Sequence, residues 1–151
     1  MPLLHLFRKW FPKSAPRTAI IADLGEATND RYGNWTFVND VSFHLQKVTL
    51  SFKTGTIPPS DRDISFFRQV EVRWPELWSK VLEELKRDHE IDGPDVDWAS
   101  FRSSAKPVDI SFGDQTPGRE NWEVALEPEF AGHSVTMHMR GFECAGFSLD
   151  G

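Results

Sequence analysis

The residues best suited to metal chemistry lie in an acidic stretch where Asp88, Glu90 and Asp92 alternate with other residues. Acidic side chains at the first, third and fifth places, with glycine at the sixth, are the spacing that opens an EF-hand calcium loop. The twelfth place holds Ala99, where such a loop needs a bidentate glutamate. We therefore expect a solvated acidic helix end at this position, and we predict no metal site.

Histidine and serine side chains supply the other candidates for chemistry. His133 and Ser134 are adjacent, which puts a base next to a hydroxyl, and His44 lies in a distant segment. Neighbours in a strand point to opposite faces, and the same alternation separates His133 from His138, so neither a catalytic pair nor a zinc site follows. The chain has no Gly-x-Ser-x-Gly elbow and no P-loop motif. We expect no catalytic residue and no cofactor. The candidates for a functional surface are His133, Ser134, His44, Asp88, Glu90 and Asp92.

Net charge limits the class of partner. The chain carries 17 Lys and Arg against 23 Asp and Glu, a formal charge of −6. Residues 1–20 hold four basic residues and no acidic one, so the other 13 basic and 23 acidic residues give the remainder a charge of −10. A body this acidic repels phosphate backbones, which argues against a nucleic acid and favours a protein partner with a basic surface.

The N-terminal segment is basic and aromatic. Leu3, Phe7 and Trp10 fall on one helical stripe that basic residues interrupt. Two interpretations remain open: residues 1–11 lie on an anionic membrane surface, or the arm packs on its own domain or on a second copy. The second is favoured, because so short a helix binds membranes only marginally. We predict an arm at residues 1–16 and a single domain at residues 17–151.

The expected location is the cytoplasm. The N-terminal apolar run is interrupted by charges and is too short to span a bilayer, and the small residues of a secretory cleavage site do not follow it. Cys144 is the only cysteine, so an intrachain disulfide is excluded, as is typical of a reducing compartment.

Alternating apolar residues predict strands on both sides of a central helix. Three strands are expected first, at 18–24, 35–39 and 43–53, and the last changes its apolar phase near Gln46, which predicts a bulge or a bend there. A four-strand meander is expected later, at 108–112, 122–126, 133–140 and 142–149. The short link between its last two strands predicts a tight hairpin.

The central helix is predicted from apolar residues three or four apart between Phe67 and Leu85. Ser60 and Asp63 have the spacing of a capping box at its start. Pro75 removes a backbone donor, so a kink or a break is expected there. Asp97 is the predicted N-cap of a short second helix. Strands, helix and strands without regular alternation predict an α+β fold, in which an antiparallel sheet packs against the kinked helical segment.

The C-terminal region carries a family resemblance. Its Phe130–Val135 step, Phe-Ala-Gly-His-Ser-Val, and its final Ser-Leu-Asp-Gly resemble the ending of a bacterial domain family for which no function is established. The order of elements upstream is also similar, although Ala131 stands where the family usually has a second aromatic residue and the helical segment is shorter. The resemblance implies an α+β layout and a bacterial cytosolic setting, and it implies no particular activity.

Functions from different classes remain open at this point. The favoured one is a non-catalytic protein-interaction module that uses an acidic surface, either to block a toxin or as an accessory subunit. The alternatives are a small hydrolase or transferase whose site is assembled from loops, and a peripheral membrane adaptor that uses the N-terminal arm. A pocket with His133 or His44 beside a carboxylate would favour the enzyme. An exposed apolar patch ringed by acids would favour the module.

Overall fold

A computed structural model describes residues 16–87, 97–130 and 132–150. Within these ranges the fold is mixed α/β, with one main helix and a mostly antiparallel open sheet of nine strands. The predicted N-terminal arm, except for Pro16, lies outside the described residues. So do three of the candidate surface residues, Asp88, Glu90 and Asp92.

The elements follow one another as strands, two helices and strands. In chain order they are β1 Arg17–Ile21, β2 Gly25–Asn29, β3 Asn34–Phe37, β4 Val41–Phe43, β5 Gln46–Lys53, α1 Asp61–Arg87, α2 Trp98–Ser104, β6 Lys106–Phe112, β7 Asn121–Phe130, β8 His133–Arg140 and β9 Glu143–Asp150. The strand order in space is β1-β2-β3-β5-β6-β7-β8-β9, with β4 paired to β5 outside this path.

The N-terminal part of the sheet has more strands than predicted. The long strand expected at 43–53 is two antiparallel strands, β4 and β5, joined by His44 and Leu45. Both linking residues have positive φ, 42° and 60°, as two-residue hairpin turns often require. The predicted bulge near Gln46 is therefore wrong, and in place of the alternative bend the chain reverses direction at His44 and Leu45, where the apolar phase changes. The strand β2 was not predicted at all.

The C-terminal part of the sheet matches its prediction closely. The strands β6, β7, β8 and β9 pair in sequence and are all antiparallel to their neighbours. The expectation of a wholly antiparallel sheet is wrong at one pair, since β5 and β6 are parallel. We call this pair the seam. Residues 54–105, which include both helices, connect its strands, and a parallel pair needs a long connection of this kind.

The predicted helix caps are present. Ser60 N donates to Asp63 Oδ2 at 2.7 Å, and Asp63 N donates to Ser60 Oγ at 3.3 Å, which is the reciprocal pattern of a capping box. At α2, Asp97 Oδ1 accepts a hydrogen bond from Ser100 N at 2.9 Å. These bonds satisfy backbone donors that would otherwise lack a partner at each helix start.

The helix α1 is continuous through Pro75, so the predicted break there is wrong, while the kink stays a prediction. Proline has no N–H, so it cannot donate to the carbonyl four residues earlier, which belongs to Glu71. His44, in the β4–β5 turn, makes a hydrogen bond from Nε2 to that same Glu71 carbonyl. The side chain of a neighbouring hairpin thus supplies the donor that Pro75 removes.

Buried side chains of α1 and of the sheet belong to one apolar cluster. Phe112 on β6 lies near its centre, with its ring centroid 4.9 Å from that of Phe52 and 5.6 Å from that of Trp122. From the helix, Phe67 approaches Phe112 at 6.1 Å, and Trp74 approaches Phe43 at 4.9 Å. Residues that alternate with these buried ones along the strands therefore point to the other face of the sheet.

Candidate binding groove on the open face of the sheet

The face of the sheet that points away from the apolar cluster is polar, and we call it the open face. Strand pairing aligns one row of its residues across seven strands. We call this row the hydroxyl row, because five of its seven members are Thr or Ser. Its members are Thr18, Thr28, Thr36, Ser51, Ser111, Glu123 and His138. All are exposed or half-buried. Neighbouring strands place these side chains within reach of one another, so they form a continuous polar strip.

A second row on the open face runs beside the first and carries two cations. Asn34 pairs with Lys53, and Asn121 pairs with Arg140. Between these two pairs lies Gly113, whose N–H donates to the Asn121 carbonyl at 2.9 Å. We call these five residues the cationic row.

The cationic row, and the part of the hydroxyl row from β5 to β8, border a groove of about 830 Å³ that crosses the seam. Lys53 and Ser51 line it from the β5 side, and His138 and Arg140 line it from the β8 side. A groove of this volume falls within the range of sites for small molecules or for segments of a partner protein.

His138 is the centre of a hydrogen-bond network on the open face. Its Nδ1 lies 3.1 Å from Glu123 Oε1, and its Nε2 lies 3.1 Å from Ser148 Oγ. Ser148 Oγ in turn lies 3.3 Å from Asp150 Oδ2. The sequence of carboxylate, imidazole and hydroxyl has the order of a nucleophile activated by a base. However, the Ser148 proton has two competing acceptors, His138 and Asp150, which reduces the activation that His138 alone would give.

Two carboxylates lie close to each other beside this network. Burial, and to a lesser degree the negative charge of Glu123, raise the pKa of the half-buried Asp109. The charged form of Asp109 is therefore disfavoured in the free protein. A lysine or arginine side chain of a partner, placed between the two carboxylates, would restore that charged form.

The structure separates the residues that the sequence singled out. Ser134 is exposed on the open face, where it pairs with Asp150, and His133 precedes it at the exposed start of β8. His44 bonds to α1 at Glu71, so it does not join them. No group of three or more His, Cys, Asp and Glu side chains in the described ranges is placed to hold a metal ion.

The single cysteine is half-buried on β9. Burial raises the pKa of the Cys144 thiol, which favours its neutral form. The thiol donates a 3.8 Å hydrogen bond to the Gly146 carbonyl.

Sequence reasoning considered His138 only as a zinc ligand, and it missed Glu123 and Ser148. The signal was present, because each lies one residue away from an apolar position of its strand, and the strands are consecutive in the meander. What the sequence lacked was the register, and a shift of one residue moves every side chain to the other face.

Neither a family model, nor a curated protein, nor a solved structure matches the chain. In the part of the chain that the structure describes, no helix combines the length and apolar character that crossing a membrane requires.

Proposed function

We propose that this protein is a non-catalytic interaction module of the bacterial cytoplasm, and that it binds a partner protein with a basic surface through the open face of its sheet. In this proposal α1 covers the apolar face of the sheet and the polar face is left for the partner. The observation that carries it is the uninterrupted polar strip of the hydroxyl row, beside a groove wide enough for side chains of a second protein. The acidic net charge of the chain supports the same conclusion.

The Asp109–Glu123 pair indicates which side chains of the partner would be bound, namely lysine or arginine. Burial, and to a lesser degree the negative charge of Glu123, disfavour the charged form of Asp109, and a cationic side chain beside Asp109 offsets both effects. Binding of such a side chain favours the ionised form of Asp109, so affinity is expected to fall when acid protonates it. A basic surface is also attracted at long range by the body of the protein, which speeds association at low salt.

Site-specific photo-cross-linking in the native host tests the proposal. A photoreactive residue at Thr36, in the hydroxyl row, is expected to capture a defined basic protein that mass spectrometry identifies. The matched position is Ser79, which is exposed on α1. The proposal is wrong if Thr36 captures nothing above background, or if Ser79 captures the same protein equally well.

Charge reversal then tests the residues. Glu123→Lys places a like charge opposite the partner's cation and is expected to weaken binding of the captured protein by at least about tenfold. Glu83→Lys makes the same change on the exposed surface of α1, where the Glu83 side chain is 74% accessible, and should leave the affinity unchanged. Equal losses in the two variants would indicate a general effect of net charge and contradict a site on the open face.

The hydrogen-bond network favours one alternative, a small hydrolase with Ser148 as its nucleophile. A fluorophosphonate probe tests it directly: Ser148 Oγ would attack phosphorus, fluoride would leave, and His138 would take the hydroxyl proton. Labelling should increase in Asp150→Ala, because the competing acceptor is gone, and disappear in Ser148→Ala. Absence of labelling at Ser148 in both the native protein and Asp150→Ala would exclude this alternative.

A further inference from the structure

The groove contains two cations whose side chains form no ion pair with a described residue. The side chains of Lys53 and Arg140 are both exposed, and neither makes a hydrogen bond within the described ranges. Most other lysines and arginines of those ranges do have such partners, as Lys80 does with Glu143 at 2.7 Å. An anion bound between these two unpaired cations would be attracted by both of them.

The acidic residues that line the groove are already engaged. Asp114 Oδ1 accepts hydrogen bonds from Thr116 N at 2.8 Å and from Thr116 Oγ1 at 2.6 Å, and these bonds lower the pKa of Asp114. Glu123 is bonded to His138. Neither carboxylate makes an ion pair with Lys53 or Arg140, although both line the same groove.

The floor between the two cations is open and polar. Gly113 has no side chain, and a Cβ at that position would lie only 2.1 Å from Asn121 Oδ1. The Asn121 carboxamide thus occupies the space above Gly113 with its oxygen, which leaves its amide group available as a donor. Ser111, the next open-face residue along β6, adds a hydroxyl to the same wall.

The spacing of the strands determines which anion fits. Lys53 on β5 and Arg140 on β8 are separated by three strand spacings of about 4.8 Å, roughly 14 Å in all. Both of these long side chains line the groove, so a ligand held by both must present oxygens in opposite directions and also towards Asn121. A phosphate group does so with more acceptor oxygens and more negative charge than a carboxylate, whose two oxygens can also bridge two cations.

We propose that the Lys53–Arg140 end of the groove is a binding site for the phosphate group of a small phosphorylated molecule. Lys53 supplies a point charge, Arg140 a two-pronged donor and Asn121 a neutral amide donor on the floor. The negative body of the protein disfavours nucleic acid at this site, because a polyanion is repelled over its whole length and one phosphate group far less. This site is distinct from the Asp109–Glu123 pair and does not depend on the identity of a protein partner.

A titration of the full-length protein with inorganic phosphate, followed by backbone amide NMR, tests the proposal. Chloride replaces phosphate at constant ionic strength as the reference, and acetate serves as the carboxylate probe. We expect saturating shifts in the millimolar range at Lys53, Gly113, Asn121 and Arg140 with phosphate, and weaker, unsaturated shifts with acetate. Shifts that do not saturate, or that spread evenly over exposed basic residues, would overturn the site. Tighter binding of acetate would overturn the choice of phosphate.

Three matched variants assign the effect to the groove. Lys53→Met and Arg140→Met each remove one charge and keep a long side chain, and each should weaken phosphate binding by about tenfold. Arg119→Met removes an exposed charge from the loop after β6, outside the groove, and should leave binding unchanged. Equal losses in all three would contradict the proposal. Melting temperatures close to that of the native protein confirm that each variant is folded, as expected because neither groove cation has a side-chain hydrogen bond or ion pair in the described ranges.

Discussion

Asp109 is held by its neighbours in an environment unfavourable to its charge. Burial and the negative charge of Glu123 raise its pKa above the ordinary value, so the folded protein binds this proton more tightly than the unfolded chain does. The sign of the effect on stability follows from that difference. As pH rises from about 3.9, the ordinary aspartate value, through the raised pKa of the folded state, this residue makes folding less favourable.

We predict that Asp109→Asn is more stable than the native protein at pH 7, and that the difference disappears near pH 3. Asp114→Asn is the control of opposite sign, because hydrogen bonds from Thr116 lower the pKa of Asp114. That variant should be less stable at pH 7, and its deficit should vanish as pH falls through the lowered pKa. Thermal unfolding as a function of pH measures both. A destabilised Asp109→Asn at pH 7 would contradict the assigned environment.

His44 is the second residue whose role depends on its surroundings. Its bond to the Glu71 carbonyl replaces the donor that Pro75 lacks. We predict that His44→Ala lowers the free energy of unfolding by about 1 kcal/mol. In a Pro75→Ala background the loss should be clearly smaller, because the N–H of alanine then bonds to Glu71 inside the helix.

Urea denaturation of the two single variants and the double variant gives the coupling between these positions. Any cost that His44→Ala imposes on the left-handed turn is the same in both backgrounds, so it cancels in the cycle. A loss of equal size with and without Pro75 would show that His44 stabilises the hairpin alone and not the helix.

At the scale of the elements, the β2–β3 hairpin is held against the loop after β5 by a close backbone contact. Gly55 N donates to the Gly33 carbonyl at 3.1 Å, and a Cβ on Gly33 would lie 2.8 Å from Gly55 Cα. Gly33 also has a φ of +84°, which glycine adopts without strain. Both the conformation and the space therefore require glycine.

Gly118 allows the cost of conformation to be measured without the cost of crowding, because its φ is +76° and a Cβ added there would have no neighbouring atom within 4 Å. We predict that Gly118→Ala costs about 1 kcal/mol for the left-handed conformation alone. Gly33→Ala should cost at least about 1 kcal/mol more, because backbone atoms must move apart. Chemical denaturation measures both, and equal losses would mean that the hairpin and the loop separate easily.

How far each element was predictable depends on how local its signal is. The caps at Ser60 and Asp97 and the four strands of the meander rest on near neighbours in sequence, and all were found. The division of residues 43–53 into β4 and β5 was missed, because His44 and Leu45 are not the usual residues of a two-residue turn. Whether Pro75 would interrupt α1 depended on a donor 31 residues away, which no local pattern contains. The Glu123–His138 contact likewise depended on register.

At the scale of the whole molecule, the rings around Phe112 join the two antiparallel parts of the sheet across the seam. Phe52 lies on one side and Trp122 on the other, and Phe67 reaches Phe112 from α1. Since all of them pack on one ring, loss of that ring affects both parts at once. The sheet is therefore expected to unfold as one cooperative unit.

We predict that Phe112→Ala lowers the free energy of unfolding by about 3–5 kcal/mol, and that Phe142→Ala, at a half-buried position, costs clearly less. In the native protein, amide hydrogen exchange should give the same opening free energy for β3 and for β8, one on each side of the seam. Markedly different values would mean that the two parts of the sheet open independently.

Because of the seam, ligand binding is also coupled to folding. Hairpins such as β7–β8 close short loops, whereas joining β5 to β6 must close the connection of residues 54–105, at an entropic cost of about 0.6 kcal/mol for each doubling of loop length. The groove has one wall on each side of this late-forming pair, with Lys53 on β5 and Arg140 on β8. A ligand that contacts both walls binds only the folded sheet. By mass action it therefore stabilises the native state, and the lifetime of that state should increase with the concentration of the ligand.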